Sequence, residues 1–313
     1  MALFGFKADY PSPAKFGQNV AYEGQSLGTL LHWSAARQPT PLVSVPLDGE
    51  TLVNLAAARA ADIMSVTEAA THPVCRGENV GGGDLVVELS SGTNSPHVVS
   101  TQAGLQTSPA SWNVKIPQAT FDWFRNNIPE NGSAIAVAAY YQITRKQLGG
   151  TLPITMIITG AGLSNHLGYV SADNLSSGSA RPTGDPVGEP VQQLAGTAGD
   201  PAFAAYGASD ESGTLSTYGN IHGRQIGFGA TGAWSFSGGV GAYNRAPSGI
   251  CHEVFVDDLR FAQRVGTSST LAEEYAAFLA EHQALWTKAY GEDGWLYPDL
   301  QAGAYTDPDT LLV

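Results

Sequence analysis

The stretch AIAVAAYYQIT, Ala134–Thr144, followed after a turn at Gly149 and Gly150 by TLPITMIIT, Thr151–Thr159, decides the fold class of this chain. Both runs are apolar with β-branched or aromatic residues, are bounded by glycine, and are short for buried helices. They are predicted to be strands buried on both faces. Strands of that kind need a covering layer on each side, which predicts an all-β core of packed antiparallel sheets.

Working outward, the flanks repeat the theme. Upstream, Pro11, Pro13, Pro39, Pro41 and Pro46 punctuate an irregular region with strand-like pieces at Asn19–Glu23 and Leu42–Val45. Ala56–Ala70 reads as a short Ala-rich helix, and Gly81–Gly83 breaks the chain before a strand at Asp84–Leu89. Downstream, residues 172–220 read as a long Ser/Gly/Pro/Asp-rich loop region. Strands are predicted again at Gln225–Phe228, Ala233–Phe236 and Glu253–Phe261. One helix is well signalled. Thr270 with Glu273 makes a capping box, Leu271, Tyr275, Phe278, Leu279, His282, Leu285, Trp286 and Ala289 recur at helical spacing, and Gly291 closes it. His282 on that stripe reads as a half-buried, satisfied helix residue rather than a ligand.

Composition narrows the function classes. Charged residues are 14% of the chain, against about 25% in a typical globular domain. Glycine is 37 of 313 residues, where about 7% is usual. The surface is therefore largely Ser, Thr, Asn, Gln and Gly. A formal net charge of -13 repels phosphate backbones and anionic lipid, so nucleic acid is not an expected partner. No apolar run has the roughly 18 residues of a membrane helix, so no membrane insertion is expected. Met1–Pro13 has no apolar signal core, so export is not expected either. Cys75 and Cys251 sit in no zinc or CxxC spacing and are read as buried free thiols, with a disulfide between them the alternative.

The segment Phe255-Val256-Asp257-Asp258-Leu259-Arg260-Phe261-Ala262-Gln263-Arg264, with Leu271-Ala272-Glu273-Glu274 after it, resembles the closing strand and L-x-x-E-E turn of laminin-G-like, concanavalin-type jelly-roll domains. Ile226-Gly227 with Phe236-Ser237-Gly238 is similar to the I-G…F-x-G segment that precedes that strand in the family. The likeness spans roughly residues 120–275. It departs from the family at the extra stretch Gly239–Gly249 and in lacking a W-H-H-V-A strand. The resemblance implies an antiparallel β-sandwich, a jelly roll of concanavalin type, with one C-terminal α-helix. It divides the chain into an N-terminal β-rich region at 1–118, either an attachment region or part of the sandwich, a laminin-G-like sandwich at 119–268, and a helix with an extended arm at 269–313.

Alternation along the closing strand places Phe255, Asp257, Leu259 and Phe261 on one face and Val256, Asp258 and Arg260 on the other. An inward Asp257 reads as a loop-fixing carboxylate that accepts backbone N–H groups. The alternative is a calcium site at Asp257 and Asp258, since hard cations take several oxygens; otherwise no cofactor is expected.

Gly24-Gln25-Ser26-Leu27-Gly28 is a formal G-x-S-x-G, with strand-like Asn19–Glu23 before it and Thr29–Arg37 after it as a candidate helix, the context of a nucleophile elbow. It also resembles the first motif of lipases and esterases with an N-terminal G-D-S or G-Q-S serine, which implies Ser26 as nucleophile and His222 as base. Against this, Asn220 stands where the family's acidic residue precedes the histidine, and Gly92-Thr93-Asn94-Ser95 lacks the Asp of its oxyanion motif. The chain has no phosphate loop, dinucleotide fingerprint, H-E-x-x-H or E-x-D-x-x-E glycosidase motif.

Composition and resemblance together suggest a tailed-bacteriophage virion protein of the tail, baseplate or capsid surface, made in the host cytoplasm. Its expected partners are other virion proteins, further copies of itself, and a host-surface receptor, with glycan the expected class. Tyr206, Tyr218 and Trp234 are the candidate ligand-binding residues, as aromatic platforms for sugar rings. The alternatives are a purely structural minor capsid or decoration subunit, and a serine esterase using Ser26 and His222.

Overall fold

The computed structural model describes residues 23–78, 80–81, 85–101, 110–120, 122–123, 127, 134–145 and 248–310, and the strand backbones at 153–158, 166–171, 191–193, 201–209 and 225–230. Its strands are β1 (Thr29–Ser34), β2 (Val74–Glu78), β3 (Leu85–Leu89), β4 (Pro96–Ser100), β5 (Ala110–Lys115), β6 (Ala134–Arg145), β7 (Pro153–Ile158), β8 (His166–Ser171), β9 (Val191–Gln193), β10 (Pro201–Ser209), β11 (Gln225–Ala230) and β12 (Ser248–Asp258). The main helices are α1 (Ala57–Met64) and α2 (Leu271–Ala289). The fold is mostly β, and every described strand pairing is antiparallel. Among the described residues no helix is long and apolar enough to cross a membrane.

The largest sheet runs β3-β4-β12-β6-β10-β9, with β1 also on β12. β12 is its centre. It pairs with β6 along one edge, and with β4 at Gly249–Ile250 and β1 at Glu253–Asp257 along the other. This one sheet draws strands from the N-terminal region as well as from 119–268, so the N-terminal β region is built into it. A second sheet runs β11-β5-β2, and β7 pairs with β8.

Both apolar runs that set the fold class are strands, but they are not neighbours: β6 takes β12 and β10, while β7 takes β8. Alternation along β6 then explains the two cores. Ile135, Val137, Ala139, Tyr141 and Ile143 join Val254 and Val256 of β12, Trp33 of β1, Trp112 and Val114 of β5, and Ala60 and Met64 of α1. Ala136, Ala138 and Tyr140 point the other way, to Phe255 and to Tyr275, Phe278, Leu285 and Ala289 of α2. Alanines at that contact let the helix approach the sheet closely.

Three expectations are corrected by the backbone. Thr29–Ser34 is a strand, because its apolar run Leu30–Trp33 is fully buried alongside β12. β12 ends at Asp258, whose side chain accepts from Arg260 N and starts a helical turn at Leu259–Ala262, so Leu259 and Phe261 are not on the strand. The region 172–220 contains β9 and β10, the latter paired with β6 along its length. The strand expected at Ala233–Phe236 lies outside the described residues.

The C-terminal segment is not an extended arm. After α2 the chain turns at Gly291–Gly294, and residues 295–310 lie across the helix side of the sheet as a strap. Leu296 is fully buried, Trp295 lies under the Arg37 guanidinium at 4.3 Å, and Ala304 O accepts from Ser91 N at 2.7 Å. Thr306 N and Oγ1 donate to Glu88, and Arg145 donates to Pro308 O at 2.9 Å. Tyr290 is likewise turned inward, its hydroxyl donating to Tyr141 O at 2.7 Å. Cys75 and Cys251 are free and buried. Burial, with nearby acidic charge, pushes the Cys75 thiol up to about 12, and burial raises that of Cys251 further.

Candidate functional site

The polar groups concentrate on the helix side of β12. A bulge between Cys251 and Glu253 turns both His252 and Glu253 toward that side: His252 meets Tyr290 edge-on, and Glu253 takes Arg37. Two networks result, one under the Gly24–Gly28 loop and one under the strap.

In the first, Ser26 is buried. Its hydroxyl donates to Asp257 Oδ2 at 2.6 Å and accepts from Gly28 N at 3.0 Å. The same carboxylate oxygen takes Arg264 at 2.7 Å. Arg264 also donates to Glu281 of α2 and to Gly24 O, and stacks over Phe278 at 5.0 Å. Burial alone would lower the guanidinium pKa, but Asp257 and Glu281 hold it above its ordinary value. A serine becomes a nucleophile when a base takes its proton. Here the hydroxyl instead solvates an ion pair. The loop leads into β1 and not into a helix, so there is no nucleophile elbow.

The glycines of the motif have a packing reason. A Cβ on Gly28 would sit 2.2 Å from Asp258 O, and one on Gly24, whose φ is +91°, 2.8 Å from Leu285 Cδ1 and 3.2 Å from both His282 and Phe255. The G-x-S-x-G spacing therefore seats a loop on the end of β12.

Beside it runs a relay of hydrogen bonds. Arg59 donates to Gln25 Oε1, Gln25 Nε2 to His32 Nδ1 at 2.9 Å, and His32 Nε2 to Glu253 Oε1 at 2.7 Å. Those partners assign the proton to Nε2. Burial lowers the His32 pKa against the pull of Glu253, so the imidazole is neutral. Burial would raise the Glu253 carboxyl, but donors from His32 and Arg37 hold it below its ordinary value. His282 is fully buried, not half-buried. Its Nδ1 meets Tyr140 Oη at 3.0 Å, and burial holds its pKa well below the usual value.

The two candidate calcium ligands are not brought together. Asp257 faces Ser26 and Arg264, and Asp258 faces Arg260 and Trp123 Nε1 at 3.0 Å. Asp257 is a loop-fixing carboxylate as expected, but its donors are side chains, whereas Asp258 accepts the backbone N–H. Among the described residues no group of three or more His, Cys, Asp and Glu is placed to hold a metal ion.

The second network went unread in the sequence. Asp299 of the strap is fully buried in the turn Ser90–Ser95. Ser90 Oγ donates to it at 2.9 Å, Thr93 N at 3.2 Å, and Thr93 Oγ1 at close range; His252 Nδ1 stands 3.6 Å away. Burial pushes His252 down to about 4, against the pull of Asp299 and Glu253. Ser95 Oγ contacts that same Nδ1 at 3.0 Å. Serine and aspartate thus share one ring nitrogen, whereas a catalytic triad uses both. The signal in the sequence was S-S-G-T-N-S, a turn dense in hydroxyl and N–H donors.

Of the aromatic candidates, Tyr206 lies on β10 at the register position opposite Val137, on a strand and not in a loop. Tyr218, Trp234 and His222 lie outside the described residues. Comparison of the chain with protein-family models, curated proteins and solved structures finds no match.

Proposed function

We propose that the chain is a non-catalytic structural protein of a tailed-phage virion, built on a concanavalin-type β-sandwich that binds a host-surface component, with glycan the ligand class. The observation that carries the non-catalytic part is Ser26, whose buried hydroxyl is committed to the Asp257–Arg264 ion pair. Support for the sandwich comes from the antiparallel sheets and from a core between β12–β6 and β5. The virion setting rests on low charge, high glycine and the closing-strand resemblance.

α2 and the strap cover the helix side of the sheet at β12 and β6, and Tyr206 of β10, with Tyr218 and Trp234, is the proposed set of sugar-stacking aromatics. That same cover favours a second reading, a minor capsid or decoration subunit with no receptor. Replacing Tyr206, Tyr218 and Trp234 with Ala separates them. The receptor reading expects assembled particles that no longer adsorb to host cells. Lost assembly, with unchanged adsorption per particle, supports the structural subunit. Each sugar contact is weak, so adsorption is measured on whole particles, where many copies act together.

A further inference from the structure

The relay beside the Gly24–Gly28 loop has a fixed polarity. A guanidinium can only donate, so Arg59 Nη1, at 3.2 Å from Gln25 Oε1, sets which way the Gln25 amide points. Gln25 Nε2 then faces His32 Nδ1 at 2.9 Å as a donor, which requires a lone pair on that ring nitrogen. The ring proton goes to Nε2, which donates to Glu253 Oε1 at 2.7 Å. Each link is set by the one before it, from α1 through the loop and β1 to β12.

That arrangement conflicts with a second proton on His32. A proton on Nδ1 would point at the Gln25 NH2 group, donor against donor. Turning the amide over gives Nδ1 an acceptor, but it aims the NH2 group at the Arg59 guanidinium instead. Either way one of the two bonds is lost. His32 is fully buried and stacked on Phe255 at 4.1 Å, so the ring cannot turn aside. Gln25 and Arg59 are half-buried, and their side chains can swing toward solvent while Gly24 and Gly28 stay packed.

Charged groups face His32 from several elements. Glu253 and Asp257 of β12 favour the imidazolium, while burial, the largest effect, and Arg37 beyond β1 oppose it. On the helix side stand His282 of α2, which a charged His32 disfavours from charging, and Arg264, which is paired with Asp257.

We propose that His32 is an acid-sensitive switch and that Gln25 makes it one: a proton on Nδ1 breaks the Arg59–Gln25–His32 link that ties α1 and the Gly24–Gly28 loop to β1. This goes beyond the receptor reading and stands if that reading fails.

The test is Gln25→Glu in the full chain. A carboxylate accepts from both Arg59 and a protonated Nδ1, so the variant removes the conflict at nearly constant side-chain size. Nitrogen NMR of the histidine rings reads the tautomer and the titration midpoint, with His32→Gln assigning the signal. At pH 7 the wild-type ring is expected to be neutral with its proton on Nε2, and on acidification the Gln25 side-chain amide signal should move with the His32 midpoint. In Gln25→Glu that midpoint should lie higher by about one pH unit or more. An Nδ1–H tautomer at pH 7, a Gln25 amide that does not follow His32, or equal midpoints overturns the proposal. Urea unfolding gives a second reading that holds even where the wild type unfolds before His32 titrates. A proton bound preferentially by the unfolded chain changes the unfolding constant about tenfold per pH unit. Gln25→Glu should therefore lose less stability than the wild type from pH 7 to pH 5, by up to that factor per unit. Gln25→Leu, which removes the opposing donor without adding charge, should lie between them, and it decides the matter where Gln25→Glu does not fold. Parallel pH profiles for wild type and variants overturn the proposal.

Discussion

At the scale of single residues, the G-x-S-x-G loop separates packing from catalysis. Ser26→Ala removes a hydrogen bond to an ionised acceptor, an interaction of about 1.5–3 kcal/mol, yet leaves Asp257 its Arg264 partner. The expected outcome is a lower urea midpoint, by about 2 kcal/mol of stability, with no change in hydrolysis of small acyl esters. Gly28→Ala adds one methyl group and should cost more, about 3 kcal/mol or above, because its Cβ meets backbone at Asp258 O and Ala262 N. If the two variants rank the other way in chemical denaturation, the loop is not held by close approach. Esterase activity that disappears with Ser26→Ala would restore the hydrolase reading, since losing a nucleophile costs orders of magnitude in rate.

At the scale of elements, α2 is the part whose stability follows most directly from local chemistry. Thr270 Oγ1 accepts from Glu273 N, and Thr270 N donates to Glu273 Oε2 at 2.8 Å. Thr270→Ala should cost about 1 kcal/mol, whereas Phe278→Ala, at the centre of the helix–sheet core, should cost about 3–5 kcal/mol. Equal losses from the two would mean that the helix is not docked through Phe278. The capping box was legible because its donors and acceptors lie within four residues, and β6 was legible because its first eight residues, Ala134–Tyr141, form one unbroken apolar run. What escaped reading was long-range. Thr29–Arg37 ends in Ala35, Ala36 and Arg37, which favour helix, but Thr29–Ser34 pairs with β12 and those three residues follow it in a bend and turn. β10 contains Ala and Gly with little intrinsic strand preference and owes its conformation to β6. The Asp299 site joins residues 206 positions apart, so neither half announces the other. Asp257 was read correctly as a buried carboxylate, but nothing local in the sequence named Ser26 as its donor.

At the scale of the whole molecule, the helix side of the sheet carries its titratable groups in burial, and this gives stability a definite dependence on pH. His32, His252 and His282 are each held below the ordinary value of 6.5, chiefly by burial, His252 down to about 4. The folded state therefore favours neutral imidazole, while the unfolded chain takes up protons through pH 6.5. Between that value and the folded ones the unfolded state binds more protons, so stability falls as pH falls, by up to about 1.4 kcal/mol per pH unit for each histidine. Two carboxylates act in the same direction at lower pH. The His97 hydrogen bond, with help from Thr306, holds Glu88 at about 2, and Glu253 lies below its ordinary 4.5, so their contributions are present above 4.5 and are lost as pH falls toward the folded values. One effect opposes these. Net charge of -13 shrinks on acidification and relieves self-repulsion, but those charges are mostly solvated and are screened beyond about 8 Å at physiological salt, whereas the imidazoles are not. The buried histidines should therefore win. Urea unfolding at 0.15 M salt is expected to give a midpoint that drops steadily from pH 7 to pH 5, with a summed slope above 1.4 kcal/mol per unit; a flat or rising midpoint over that interval would mean that these imidazoles meet solvent in the folded protein.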